Sequence, residues 1–266
     1  MLISVSKLID ESYKFYSEHR EIFFEYVKYL FIAMIGYTII VNGGTTALAP
    51  LIKNNSWAGT VVIILILLFT IALAIGTTWI SLAIMRSAAQ IYERTETKPV
   101  KEELKNAVKY IWPSIVISLL VALAQLGGLI LLVVPAIIFG TWFAFANYTL
   151  VLDDKRGTAA LSASKALVKG RWWEIFWKLL LLGLFFGIIL SIIPGIISLP
   201  FDLISAATKS SPIVPIVITI IGEILSTIVR VFLVPFPIVA NTILYLELKK
   251  TPVQNEPNLP VANISA

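Results

Sequence analysis

Residues 112–152 read WPSIVISLLVALAQLGGLILLVVPAIIFGTWFAFANYTLVL, without one Asp, Glu, Lys or Arg. As one straight helix, about 40 residues would run ~60 Å, twice the ~30 Å hydrocarbon core of a bilayer. The stretch must therefore fold back on itself. Pro135 marks the expected hinge, because its ring removes a backbone donor and clashes with the preceding turn. Two spans follow, 112–134 and 136–152, joined at Val134-Pro135-Ala136. A chain containing such a hairpin reads as an all-α, polytopic transmembrane bundle.

Working outward, the next apolar run covers 173–193 and is closed by Pro194-Gly195. The last starts near Ile213 and stays apolar to about Leu246; at 1.5 Å per residue it would be roughly 51 Å long. Pro235 and Pro237 should divide it into a span, 213–234, and a second piece near the inner surface. Towards the N-terminus lie spans 58–85 and 23–41, the latter carrying Glu25 and Lys28 and ending at Asn42-Gly43-Gly44. These six spans make one membrane domain, 1–250. The tail 251–266, with Pro252, Pro257 and Pro260, is expected to be disordered.

Composition agrees. Of 266 residues, 58% are hydrophobic and 14% charged, and the mean hydropathy is +0.89; soluble domains carry roughly 25% charged residues. That balance excludes a soluble enzyme, a β-barrel and a disordered chain. With no Cys and one His, His19, disulfides, thiol chemistry, histidine zinc sites and a histidine triad are excluded. No phosphate loop or nucleophile elbow is present. The expectation is a non-enzymatic protein without cofactor or metal. The first 21 residues mix Lys7, Asp10, Glu11, Lys14, Glu18, Arg20 and Glu21 with apolar positions, so no cleavable signal peptide is expected.

The net charge of +5 reads as orientation and headgroup contact rather than nucleic-acid binding. Lys7, Lys14 and Arg20, six basic residues in 86–109, five in 155–171, and Lys249 and Lys250 fall on one side; Lys53 and Lys209 fall on the other. The positive-inside rule then puts both termini in the cytoplasm, in a multi-pass protein of the cell (inner or plasma) membrane.

Three segments on the basic side look amphipathic. In 99–111 the apolar positions are Val100, Leu104, Ala107, Val108 and Ile111, with Pro99 suited to a first turn. The second has Thr158 as N-cap, a helix over 159–169 and Gly170 as stop. The N-terminus offers Val5, Ile9, Tyr13 and Tyr16 on one face. All three read as short helices on the inner leaflet. They also expose a candidate three-unit parallel repeat: AVKYIW (107–112) leads to VPAII (134–138), and ALVKGRW (166–172) leads to IPGII (193–197). Internal duplication and convergence of membrane-protein patterns both account for it.

VPAII, WFAFA (142–146), LDDKRGTAALSASKALVKGRWW (152–173) and NTILYLEL (241–248) together resemble the membrane domain attached to some bacterial glycerophosphodiester phosphodiesterases, shared by many stand-alone prokaryotic membrane proteins. The resemblance covers most of the chain and is most specific over 134–173. It implies a six-span bundle. It does not imply phosphodiesterase activity, because this sequence carries neither the histidine pair nor the clustered acidic metal ligands of the catalytic barrel.

Two groups of residues are candidate sites. Glu223 lies ten residues into the last span and Arg230 two turns further on the same side, with Thr219, Ser226 and Thr227. An unpaired carboxylate at that depth costs about 2.5–3.5 kcal/mol on insertion scales. The stripe reads as a proton, ion or headgroup pathway, or as a structural ion pair and inter-helix hydrogen bonds. Lys165, Lys169, Arg171, Trp172 and Trp173 form a basic-aromatic junction, either a site for anionic lipid headgroups or generic anchoring. Glu174 and Lys178 should pair. Gly183, Gly187, Ser191 and Gly195 form a small-residue face for packing inside the monomer, or alternatively in a dimer; Gly140, Ala144 and Asn147, and Ser114, Ser118 and Ala122, do the same in neighbouring spans. Gln125 should hydrogen-bond between helices, and Asp153-Asp154 should be solvated at a helix end. The functional expectation is a membrane protein that binds, organises or senses lipid or scaffolds a partner, with membrane lipids as partners and homo-oligomerisation open. The alternative is a small transporter or channel using Glu223 and Arg230.

Overall fold

The computed structural model describes residues 2–38, 40, 57–208 and 214–251. The expected end of span one at residue 41, the connections holding Lys53 and Lys209, the start of span six at Ile213 and the tail 252–266 lie outside the described residues. The regular elements among those described are all helices: α1 (Val5–Glu18), α2 (Arg20–Tyr37), α3 (Trp57–Tyr92), α4 (Val100–Leu131), α5 (Val133–Phe143), α6 (Ala146–Asp153), α7 (Gly157–Val168), α8 (Trp172–Ala207), α9 (Val214–Leu233) and α10 (Pro235–Lys250). Five helical stretches are long and apolar enough to cross a membrane: Trp57–Tyr92, Val100–Ile130, Val133–Asp153, Trp172–Ala207 and Val214–Lys250. The 18 residues of α2 include Arg20, Glu21, Glu25 and Lys28, too many charges for the same criterion. The protein is an all-α integral membrane bundle.

The bundle has two unlike halves. At 36 residues each, α3 and α8 run ~54 Å, well beyond a ~30 Å hydrocarbon core. One end of the bundle collects the basic residues and the protein core: Leu8, Phe23, Tyr26, Ile84, Leu104, Leu150, Val168 and Ile243 are fully or almost fully buried there. At the opposite end the same helices turn Val61, Leu65, Leu68, Leu126, Ile188 and Leu203 outward. Leucine side chains in that number find an apolar solvent only in lipid.

Several expected boundaries shift. The hairpin between spans three and four does not break at Pro135. It breaks at Leu132, which is fully extended (φ 172°, ψ 162°), and Pro135 falls in the first turn of α5. There its missing N–H is one that would lack a helical partner anyway. The tight return brings the chains together at Gly128, where a Cβ would stand 2.7 Å from the Ala136 backbone nitrogen. Span four is two helices, interrupted at Ala144-Phe145. Ser164 of α7 bridges the break: its hydroxyl donates to the Trp142 carbonyl (2.7 Å) and accepts from the Phe145 N–H (3.1 Å). Span five does not stop at Pro194; α8 continues through Pro194 and Pro200 to Ala207 and pairs with α9. Membrane helices tolerate such prolines because packing neighbours and local adjustment re-satisfy the freed backbone groups.

The amphipathic segments are helical but packed into the bundle. Residues 99–111 are not a separate helix: they form the first turns of α4, unbroken through Pro113, with Val100, Leu104 and Ala107 buried and Val108 exposed. The second, α7, starts at Gly157 (φ +54°) with Arg156 as N-cap instead of Thr158, and Gly170 (φ +84°) stops the turn as expected. In α1 the buried face centres on Leu8 and Ser12, and Tyr13 is exposed. The repeat units differ accordingly: one is continuous at its basic junction and broken at its proline turn, the other the reverse. The division at Pro235 is present, yet α10 is no surface piece. Val239, Ala240, Ile243, Leu244, Tyr245 and Leu248 are buried, and α10 packs on α1, α3 and α8.

Candidate functional site

Four polar clusters lie at the basic end, three of them built around α10. The exception joins α3 to α4. Glu103 is fully buried, and its carboxylate accepts from Arg86 Nε (2.7 Å) and Gln90 Nε2 (2.9 Å). The Arg86 guanidinium also lies over the Tyr110 ring, 5.5 Å from its centroid. Next, Asp153, at the end of α6, accepts from Tyr245 Oη (2.7 Å) and Lys249 Nζ (2.6 Å), so it is a paired carboxylate and not merely a solvated helix end. Glu247 accepts from Tyr92 Oη (3.0 Å) and Lys250 Nζ (3.2 Å). Finally, Arg171 reaches the C-terminus of α10: Nη2 donates to the Leu248 carbonyl (2.8 Å) and Nη1 to Thr251. Those carbonyls have no helical donor, and the positive charge also complements the helix dipole. Burial pulls the Arg171 guanidinium below its ordinary pKa.

The expected headgroup cluster is thereby divided. Arg171 turns inward, and Trp172 stacks on Phe176 (5.1 Å between centroids), its indole N–H buried without a partner among the described residues. Lys165, Lys169 and Trp173 face outward; Lys165 Nζ sits 4.1 Å above the Trp142 ring centroid, and Trp173 is 67% exposed. The structure adds a stripe that the sequence reading missed. Lys101, Lys105 and Lys109 follow one another at four-residue spacing on the exposed side of α4, and Trp112, three residues on, is 72% exposed. Their spacing was visible in the sequence, masked by reading only the apolar positions of 99–111. None of Lys101, Lys105, Lys109, Lys165 and Lys169 forms an ion pair among the described residues. The helices that carry the stripe and Lys165 and Lys169, α4 and α7, pack against each other at the basic end.

The other candidate stripe also divides. Thr219 donates to Ser205 of α8 (3.0 Å), and Thr227 shares a hydrogen bond with Thr38, just past α2 (3.2 Å). Ser226 donates back to the Glu223 carbonyl (3.0 Å). Glu223 and Arg230 are both partly buried, and neither forms an ion pair with the other or with any described residue. The structural pairing considered for them is therefore absent among the described residues.

The small-residue faces have two fates. Ser114 donates to Asn147 (3.0 Å), and a Cβ on Gly140 would stand 3.0 Å from Gln125 Nε2, so spans three and four use theirs internally. A Cβ on Gly183, Gly187 or Gly195 would meet nothing within 4 Å, so that face of α8 is not packed against any described residue. The close approach of α8 lies instead at Gly222 of α9, where a Cβ would stand 2.6 Å from the Phe201 Cβ. Glu174 and Lys178 pair as expected, at 3.2 Å. Among the described residues no group of three or more His, Cys, Asp or Glu could hold a metal ion. No protein-family profile, no curated protein and no solved structure matches the chain.

Proposed function

We propose that this membrane protein is non-enzymatic and binds and organises anionic lipid around its basic end, which faces the cytoplasm. The observation that carries the reading is the contrast among its cations. Arg86, Arg171 and Lys249 are held by internal partners, whereas Lys105, Lys109, Lys165 and Lys169 point outward without carboxylates, beside exposed Trp112 and Trp173. Among the described residues these lysines form no ion pair; Lys109 and Lys165 lie only over the Tyr110 and Trp142 rings, and the exposed indoles beside them match the headgroup level of a bilayer. Each lysine near an anionic surface contributes about 1 kcal/mol, and the effect falls with salt. The test is native mass spectrometry of protein purified in mild detergent. Phosphatidylglycerol or cardiolipin should be retained over phosphatidylcholine and lost in K105Q/K109Q/K165Q/K169Q. Equal retention of anionic lipid and phosphatidylcholine by the wild type would refute the reading.

Transport through the Glu223 region is a second reading, favoured by a partly buried carboxylate without a counter-charge among the described residues. Proton flux into proteoliposomes that is abolished by Glu223→Gln would support it.

A further inference from the structure

A cavity of about 190 Å³ opens at the basic end among α3, α6 and α10. Arg86, Gln90, Glu93 and Lys249 are its polar walls, and Val151 and Leu246 are among its apolar ones. At ~30 Å³ per water it has room for about six waters, or one small organic group.

Its electrostatics can be read from the partners already described. Both cations on the wall are engaged, Arg86 with Glu103 at 2.7 Å and Lys249 with Asp153 at 2.6 Å. Glu93, at the exposed mouth, forms no ion pair among the described residues, although it lines the same space as Lys249. Gln90 is fixed through its amide nitrogen to Glu103, which leaves its Oε1 with one long contact, from the Lys98 N–H at 3.5 Å. Helices α3 and α6 end here, at Tyr92 and Asp153, and each C-terminus carries about −0.5 of a charge, whereas that of α10, at Lys250, is offset by Arg171. Arg86 and Lys249 are each neutralised by a carboxylate, so Glu93 is the wall charge without an ion-pair partner among the described residues, and the ends of α3 and α6 add to its negative field. Aromatic faces at this end also receive ammonium groups: Lys250 Nζ lies 4.5 Å from the Tyr92 ring centroid and Lys249 Nζ 5.8 Å from that of Tyr245.

We propose that this cavity binds a primary ammonium group, held by the Glu93 carboxylate and Gln90 Oε1, with its carbon stem on the apolar wall. The same chemistry is offered by the headgroup of an aminolipid and by a soluble alkylamine. A trimethylammonium binds more weakly, because it has no N–H to donate to either acceptor. The site is separate from the lysine collar, and its failure would leave the anionic-lipid reading standing.

The test uses the full chain in mild detergent. Thermal unfolding is followed with ethanolamine or choline at matched ionic strength, and native mass spectrometry compares phosphatidylethanolamine with phosphatidylcholine of the same acyl chains. The proposal expects a preference for the primary amine, weakened roughly tenfold or more in E93Q, as for loss of one charge-assisted hydrogen bond. E93K, which brings its own ammonium to the mouth, should abolish the preference; both substitutions are at an exposed position. Stabilisation by free ethanolamine assigns a soluble amine. Retention of phosphatidylethanolamine without that response assigns the lipid. A wild type that makes neither distinction, or a preference unchanged in E93Q and E93K, overturns the proposal.

Discussion

Replacing Arg86 by Met should be among the most damaging single changes in this protein. Glu103 beneath it has 0% side-chain exposure and keeps only Gln90 when the guanidinium is gone. Breaking a buried ion pair from one side costs about 3–5 kcal/mol, because the remaining charge is left without compensation. The reverse change, Glu103→Leu, should cost less, since the Arg86 side chain retains 19% exposure and can turn to water. Replacing both together should be milder than Arg86→Met alone. Buried pairs exchanged for apolar residues of similar volume are often near neutral, and the leftover penalty is the Gln90 amide, about 1–3 kcal/mol if it stays unsatisfied. Unfolding of the full chain by increasing SDS in mixed micelles, followed by circular dichroism, gives all four free energies. The diagnostic quantity is the sign of the non-additive part of the cycle. R86M within about 0.5 kcal/mol of wild type, or a double variant equal to the sum of the single ones, would refute the assignment of this pair to the core.

Other consequences follow from the packing. Gly128→Ala should destabilise the α4–α5 hairpin by about 1–3 kcal/mol, as overpacking does, because its Cβ would meet Ala136 backbone at 2.7 Å; Gly187→Ala, with nothing within 4 Å, should leave monomer stability unchanged or slightly raised in the same SDS assay. Arg171→Ala removes the side chain that caps α10, so limited trypsin digestion should cut faster at Lys249 and Lys250 while the rest of the bundle stays protected. Glu223→Gln removes a charge that has no ion-pair partner among the described residues, so stability should hold or rise; a loss above about 2 kcal/mol would show a partner, since an unfilled charge partner carries a penalty of that order.

The helical, membrane-embedded class was legible in residues 112–152, because forty uncharged residues leave a chain few choices. The proline boundaries were less so. Pro135 and Pro194 are the same residue type in similar apolar runs, yet one sits in a first turn and the other inside a 36-residue helix. What separates them is packing: Gly128 lets the chain reverse against Ala136, and nothing comparable approaches Gly195. Pro235, with Pro237 two residues on, did divide the last apolar segment. The amphipathic faces were visible as periodicities, but apolar spacing alone does not tell a lipid surface from a protein core, and for Val100, Leu104 and Ala107 the neighbour is protein. Of the candidate headgroup residues, Lys165, Lys169 and Trp173 are exposed. The internal contacts of Arg171 were not legible, because its partners, the last carbonyls of α10, lie about eighty residues away and carry no side-chain signature.

The central claim, that the outward lysines and tryptophans hold anionic lipid, is tested most directly by native mass spectrometry of the wild type and K105Q/K109Q/K165Q/K169Q at two salt concentrations. The account predicts selective retention of phosphatidylglycerol or cardiolipin by the wild type, reduced by salt and lost in the variant while the fold persists. A wild type that carries no lipid, or retains phosphatidylcholine as well as the anionic lipids, would contradict it.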